Sequence, residues 1–382
     1  MDTTTLHAAV RRFPLLGRPR PACPALAARV TEIGELAELA ATPGLSEAEV
    51  MAEAAHALNK AALLASDCGL PDLARDLCWQ HIDVYRAVEP PLTVLQARYM
   101  LEPALNLARL QIRAEAGERA LRLMEAMYRA VTSGTDLVVD GRTLPLATLT
   151  GTRQEHHKLR EWVWLQYLAD GIRALALAGR WEEAVAHATA NKGIGLHLME
   201  GRQAMIISRC LSGALPAARA VLEASAVTEP WERQVAACLA VMCAEKNSTS
   251  ADRDIPAMAD GFLGQPPVPV PGYAVFRARL GLTVATLAGD VDAETADRVL
   301  AQAAVEVVEA GDGYAAREVL GYRSPVTELT TVQRKALSTV VTASGLGAGT
   351  MPESALTSLV GAAQIAEDAL AASMLRPEAL TT

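Results

Sequence analysis

Apolar residues recur at three- and four-residue steps through most of this chain, the spacing that puts one apolar stripe along an α-helix. The pattern is clearest over 25–41 and 47–66, where alanine and leucine, both strong helix formers, hold the periodic positions. Ser46 and Glu49 make a capping-box pair at the start of the second stretch. Further helices are predicted over 71–85, 92–114, 118–132, 154–178, 181–190, 202–211, 216–224, 232–245 and 353–374. The breaks between them are short and contain Gly, Pro or Asp, so consecutive helices are expected to lie antiparallel. One segment departs from the helical period. Asp140-Gly141 separates two short β-prone runs, which predicts a small β-hairpin near 136–147. Its expected role is an insertion between helices, with a lid over a groove as the alternative.

A repeat runs through the helical pattern. Ala178-Gly179-Arg180-Trp181-Glu182-Glu183-Ala184 aligns with Ser212-Gly213-Ala214-Leu215-Pro216-Ala217-Ala218, the two glycines and the two closing alanines each standing 34 positions apart. Glycine ends one helix in a backbone shape that other residues resist, and alanine lets the next helix pack closely. Cys68-Gly69-Leu70-Pro71-Asp72-Leu73-Ala74 has the same Gly-to-Ala step, Pro230 follows Ala218 by 12 residues, and weaker copies fall around Ala120, 289–296 and 311–316. On these residues the chain resembles the tetratricopeptide-like (TPR-like) helical superfamily, from about 47 to 245 and in more degenerate form to 320. The large aromatic residue that the family carries near the start of each first helix is mostly missing. The resemblance implies an all-α fold of antiparallel helical hairpins stacked as a TPR-like α-solenoid, whose first helices line a concave face.

Carried onto this sequence, the phase of Gly69 and Ala74 places His56, Asn59 and Lys60 on or near that face. Setting Ala120 to the same alanine position adds Asn106, Arg109 and Arg113, and Arg173 and Gln203 follow on later repeats. Asn106, Arg109 and Arg113 are spaced by three and then four, so they share one stripe. A row of Asn and Arg can clamp a carboxylate, because guanidinium offers paired planar donors and the amide adds another. The alternative is that the same residues make ion pairs between helices. The candidate peptide-binding set is Asn59, Lys60, Asn106, Arg109, Arg113 and Arg173.

Four segments are expected. Residues 1–23, with Arg11, Arg12, Arg18 and Arg20 among prolines, read as a flexible N-terminal arm, and 24–245 as the repeat domain. Residues 246–273, with Pro266, Pro267, Pro269 and Pro271, read as a Pro-rich linker or loop. Residues 274–382 read as a C-terminal helical region that continues the stack, its last helix capping the open end.

Composition sharpens this picture in a few respects. The 382 residues carry 35 basic and 44 acidic side chains, a net charge of −9, which disfavours a general nucleic-acid surface. No apolar run approaches the roughly 18 to 20 residues that span a bilayer, and 13–16 is too short for a signal peptide, so the expected location is cytoplasmic. Lysine occurs only at Lys60, Lys158, Lys192, Lys246 and Lys335, and this arginine bias with the alanine excess points to a high-GC genome of actinobacterial type. The six cysteines form no C-x-x-C pair, so no cysteine zinc motif or dithiol motif is expected.

Chemistry has one weak candidate. In Glu155-His156-His157, followed by Arg160, Glu161, Trp162 and Trp164, His157 and Glu161 are four apart on a predicted helix and would share a face. They are candidate acid/base groups with Glu155, but two ligands do not make a zinc site, and a solvated helix start explains the same residues. Phosphate-binding, dinucleotide-binding and nucleophile-elbow motifs are absent from the sequence. No cofactor and no metal is expected. The favoured reading is a non-catalytic peptide- or protein-binding protein, an adaptor or regulatory sensor, with self-association left open. The alternatives are a component of peptide natural-product maturation using Glu155 to Glu161, and a small-molecule-sensing regulator.

Overall fold

A computed structural model describes residues 3–89, 91–245, 249–264, 271–289 and 291–375. Among these residues there are seventeen α-helices and four short strands, so the fold class is all-α. In chain order the elements begin with α1 (Thr3–Val10), α2 (Leu26–Ala40), α3 (Glu47–Asp67), α4 (Pro71–Arg86), β1 (Leu92–Thr93), α5 (Val94–Arg113) and α6 (Gly117–Ser133). Next come β2 (Leu137–Val139), β3 (Arg142–Leu144), β4 (Leu149–Thr150), α7 (Arg153–Leu177), α8 (Trp181–Ala190), α9 (Glu200–Leu211) and α10 (Leu215–Glu223). The chain continues through α11 (Pro230–Met242), α12 (Thr249–Leu263), α13 (Ala274–Gly289), α14 (Ala293–Ala310), α15 (Gly313–Leu320), α16 (Thr331–Ser344) and α17 (Glu353–Met374). No helix of the described residues is long and apolar enough to cross a membrane.

Local signals set the helix ends. Ser46 and Glu49 form the reciprocal capping box that opens α3, and Thr93 with Gln96 does the same for α5. Gly179 and Gly213 have φ of 73° and 77°, the left-handed region where a Cβ is penalised, and each ends a helix just ahead of its partner. Five residues beyond them, Ala184 and Ala218 are wholly buried, as are Ala74, Ala120, Ala296 and Ala316 at the corresponding places. A larger side chain there would force helices apart. Ala218→Leu is therefore expected to lower unfolding free energy by about 1–3 kcal/mol, read from urea melts; an unchanged midpoint would show that the helix contact is not tight.

The chain divides into two units. The α5 unit holds the described residues of Leu26–Ala174 and Gly345–Thr382. In it α2 packs on α3, α3 on α4, α4 on α5 and α5 on α6, while α3 also reaches α5. Ala54, Leu58, Ala61 and Leu64 of α3, Ile82 and Tyr85 of α4, and Met100, Leu101 and Ala104 of α5 fill the core. The predicted hairpin is present as antiparallel β2 and β3. It is not a lid over the face that carries the candidate residues. Leu137, Val139, Leu144 and Leu146 are buried, Arg142 lies 4.4 Å from the Trp79 ring centroid, and its guanidinium pairs with Asp83 at 3.0 Å, so the hairpin is fastened to α4. The final helix, α17, packs on α2, α3 and α4 through Leu359, Ala363, Ala366 and Leu370. The loop before it is pinned to the end of α3, with the Gly347 and Gly349 amides donating to the Asp67 and Cys68 carbonyls at 2.7 and 2.8 Å.

The α11 unit holds the described residues of Met1–Ala25 and Leu175–Ser344. Here α9 meets α11, α11 meets α13 and α13 meets α15, while α12, α14 and α16 make a second row in the same order. Two sequence expectations change. Residues 3–23 are not a flexible arm: α1 packs on α13, and Phe13, Leu15, Leu16 and Cys23 are buried. The segment expected as a linker contains α12, because Ile255, Met258, Ala259 and Phe262 recur at helical spacing and are buried. Its residues 246–248 and 265–270, with Pro266, Pro267 and Pro269, lie outside the described residues. All six cysteines are buried free thiols, and Cys210 and Cys243 approach to 3.5 Å between sulfurs.

Candidate functional site

On α5 the polar residues Arg98, Glu102, Asn106, Arg109 and Arg113 follow one another at steps of four, four, three and four, a single stripe along the helix. Beside it α3 contributes Asn59, Ser66 and Asp67, and α7 contributes Trp162, Gln166 and Asp170. The amide of Asn59 donates to Glu102 Oε2 at 2.7 Å and accepts from Asn106 Nδ2 at 3.2 Å. Arg109 donates from Nε to Asp170 Oδ2 at 2.9 Å and from Nη2 to Gln166 Oε1 at 3.0 Å. Arg113 pairs with Asp67 at 3.0 Å and donates to the Ser66 hydroxyl. Arg98 pairs with Glu102, four residues on, and lies 3.4 Å from the Trp162 ring centroid. Burial lowers the pKa of Arg98 from its ordinary value, and the Glu102 charge opposes that shift.

Asn59, Asn106, Arg109 and Arg113 are thus brought together by α3 and α5. Two other candidates are placed apart from them. Lys60 points to α2, where it pairs with the exposed Glu32, and Arg173 is exposed on α7, three residues past Asp170. The cations of the stripe are not bare donors: each has a carboxylate on its own helix or a neighbouring one. These acidic partners, Asp67, Glu102 and Asp170, and the amide Gln166 are absent from the sequence reading. The spacing of Glu102 before Asn106, and of Gln166 before Asp170, was the available signal.

Between α3 and α5 lies a shallow, open depression lined by Ala62, Leu63, Ser66, Cys78, Asn106, Arg109, Leu110 and Arg113. Its lining is apolar at the floor and cationic at the rim. The side chains of Arg109 and Arg113 are 40% and 45% exposed, so both guanidiniums remain accessible from solvent.

Glu155 has a local structural role. Its carboxylate accepts the Thr152 amide at 2.7 Å and the Thr152 hydroxyl at 2.8 Å, closing the cap at the start of α7, and these bonds lower its pKa. His157 and Glu161 are exposed on the same helix. Among the described residues no group of three or more His, Cys, Asp or Glu is arranged to hold a metal ion. Compared with family models, curated protein sequences and solved structures, the chain gives no significant match.

Proposed function

We propose that the α5 unit is a TPR-like stack of helical hairpins and that the face of α3, α5 and α7 binds an extended peptide without doing chemistry on it. The observation that carries this reading is the depression between α3 and α5, with Asn106, Arg109 and Arg113 on its border. The depression is open and too shallow to enclose a drug-sized molecule, so a partner would lie over it rather than inside it. That favours a peptide over a sensed small molecule. Residues of a peptide laid over the depression would lie beside Arg109 and Arg113. Asp67 is buried and also pairs with Arg29 at 2.5 Å, so it keeps a cationic partner when Arg113 turns to an incoming carboxylate. The partner expected is a peptide or exposed protein segment with an apolar residue next to Asp or Glu, bound in an adaptor or regulatory role in the cytoplasm.

Random-peptide display on the purified chain, followed by anisotropy titration of the enriched sequences, tests this. Acidic residues should be enriched beside an apolar one, and the double variant Arg109→Ala, Arg113→Ala should weaken binding by about tenfold or more. Equal affinity for the variant would remove the assignment of this face.

A further inference from the structure

Residues 12–23 of the α11 unit cross one whole row of its helices. Arg12, two residues past α1, lies 5.2 Å from the Tyr322 ring centroid and donates to Thr286 of α13 at 3.3 Å. Phe13, Leu15 and Leu16 are buried. Leu15 is held by its backbone on both sides: its amide donates to Gln203 Oε1 at 2.8 Å, and its carbonyl accepts from Gln203 Nε2 at 2.7 Å. Gln203, on α9, is 0% exposed, and its Nε2 also reaches the Leu198 carbonyl at 2.6 Å. Gly17 rests on Trp231 of α11 so closely that a Cβ would stand 2.2 Å from the indole Cγ. Arg18 pairs with Glu200 of α9 at 3.0 Å. The Arg20 amide donates to the Gly272 carbonyl at 2.9 Å just ahead of α13, and the Cys23 carbonyl accepts from Gly313 of α15 at 2.8 Å.

This is how a ligand is held. Beyond Phe13 the segment has no regular secondary structure, and its backbone groups at Leu15, Arg20 and Cys23 are satisfied by α9 and by the starts of α13 and α15. A side-chain amide that reads both polar groups of one residue fixes an extended peptide whatever its side chain. Apolar side chains then enter the groove and an arginine meets a carboxylate at the rim. Gln203 is the residue that the sequence phase places on the lining face of a later repeat.

We infer that the row of α9, α11, α13 and α15 is a peptide groove occupied in cis by residues 12–23. It accepts in trans a partner segment of the same chemistry: an aromatic residue and Pro, two leucines, Gly, then Arg. The cis segment competes with that partner and holds the groove shut. This site is separate from the face of α3, α5 and α7, and does not rest on that reading.

The test uses the whole chain and a fluorescent peptide of residues 9–22. Gly17→Leu drives a side chain into Trp231 and expels the cis segment, while the helices keep every residue. A cis segment at millimolar effective concentration masks a peptide of ~10 μM intrinsic Kd by about 100-fold. The expected result is that the peptide binds the Gly17→Leu chain near that Kd and binds the wild type at least about 50-fold more weakly. Adding Gln203→Ala to Gly17→Leu should abolish binding. A folded Gly17→Leu chain that ignores the peptide overturns the inference. So does one that dimerises in light scattering in a manner the peptide cannot reverse, because the groove then takes the segment of a second copy. Should Gly17→Leu fail to fold, hydrogen exchange on the wild type decides. Amides of Leu15 to Arg20 should exchange at least about tenfold faster than those of α9 and α11, and exchange as one unit with the helices refutes a releasable segment.

Discussion

Acidification from pH 7 to pH 4 is expected to remove about 3 kcal/mol of stability through one residue, His81, and His81→Leu is expected to remove that loss. The ring sits on α4 with no exposed surface, and among the described residues neither ring nitrogen has a hydrogen-bond partner. The Tyr85 ring is 5.7 Å away between centroids, and among the described residues its hydroxyl is equally without a partner. Burial lowers the His81 pKa to about 3, because an imidazolium there would be stripped of water with nothing to replace it. In the unfolded chain the group titrates near 6.5, so between these values only the unfolded state takes the proton. Stability is full above the unfolded pKa and falls as pH drops towards the folded one, to a limit of about 5 kcal/mol. Leucine has similar volume and no polar atoms. Urea melts at pH 7 and pH 4 should show His81→Leu at least as stable as wild type at the higher pH and clearly more stable at the lower. Parallel pH profiles for the two chains would contradict a buried neutral ring.

Glu232→Gln is expected to cost the α11 unit about 3 kcal/mol at neutral pH. The carboxylate is 1% exposed and collects the amides of Leu198 at 3.0 Å, Thr228 at 2.9 Å and Glu229 at 3.0 Å, with His197 Nδ1 at 3.2 Å. Burial alone would raise its pKa, but these amides outweigh burial and hold it at about 2. Glutamine keeps the shape and loses both the charge and one acceptor, turning an amide group towards donors. The depressed pKa means that this stabilisation is present above the unfolded value of about 4.3 and lost as pH falls from there towards 2. The variant and the wild type should therefore differ in urea midpoint at pH 7 and converge at pH 2. A difference below about 0.5 kcal/mol at pH 7 would mean that the three amides find water as readily as the carboxylate.

What the sequence discloses is what lies within one helix. The Ser46–Glu49 box, the Gly179 and Gly213 turns and the buried alanines that follow them are encoded over four to six residues, and all are found where the pattern puts them. The Asn106, Arg109 and Arg113 stripe is legible for the same reason. Their partners Asp67 and Asp170 are not, because which carboxylate meets which guanidinium depends on how α3 and α7 approach α5. Residues 12–23 show the same limit more sharply: prolines and arginines around Phe13, Leu15 and Leu16 look like a solvated tail until Gln203, 188 positions away, is found holding Leu15. α12 is hidden by Ser248 and Ser250 around its start, the prolines after it and Pro256 within it.

The placement of α17 has a consequence for synthesis. α2, α3 and α4 are complete once residue 86 has been made, but the helix that covers them spans Glu353–Met374. During translation at about 5–20 residues per second, the apolar face of α2 and α3 therefore waits more than ten seconds for its cover. The α11 unit, with its own early segment 3–25 already at hand, is released whole in that interval. The order of completion is thus inverted: the later-encoded helices α8–α16 close first, and the unit begun at Leu26 closes last. For that time Ile33, Ala37 and their neighbours stay open to other exposed apolar surfaces.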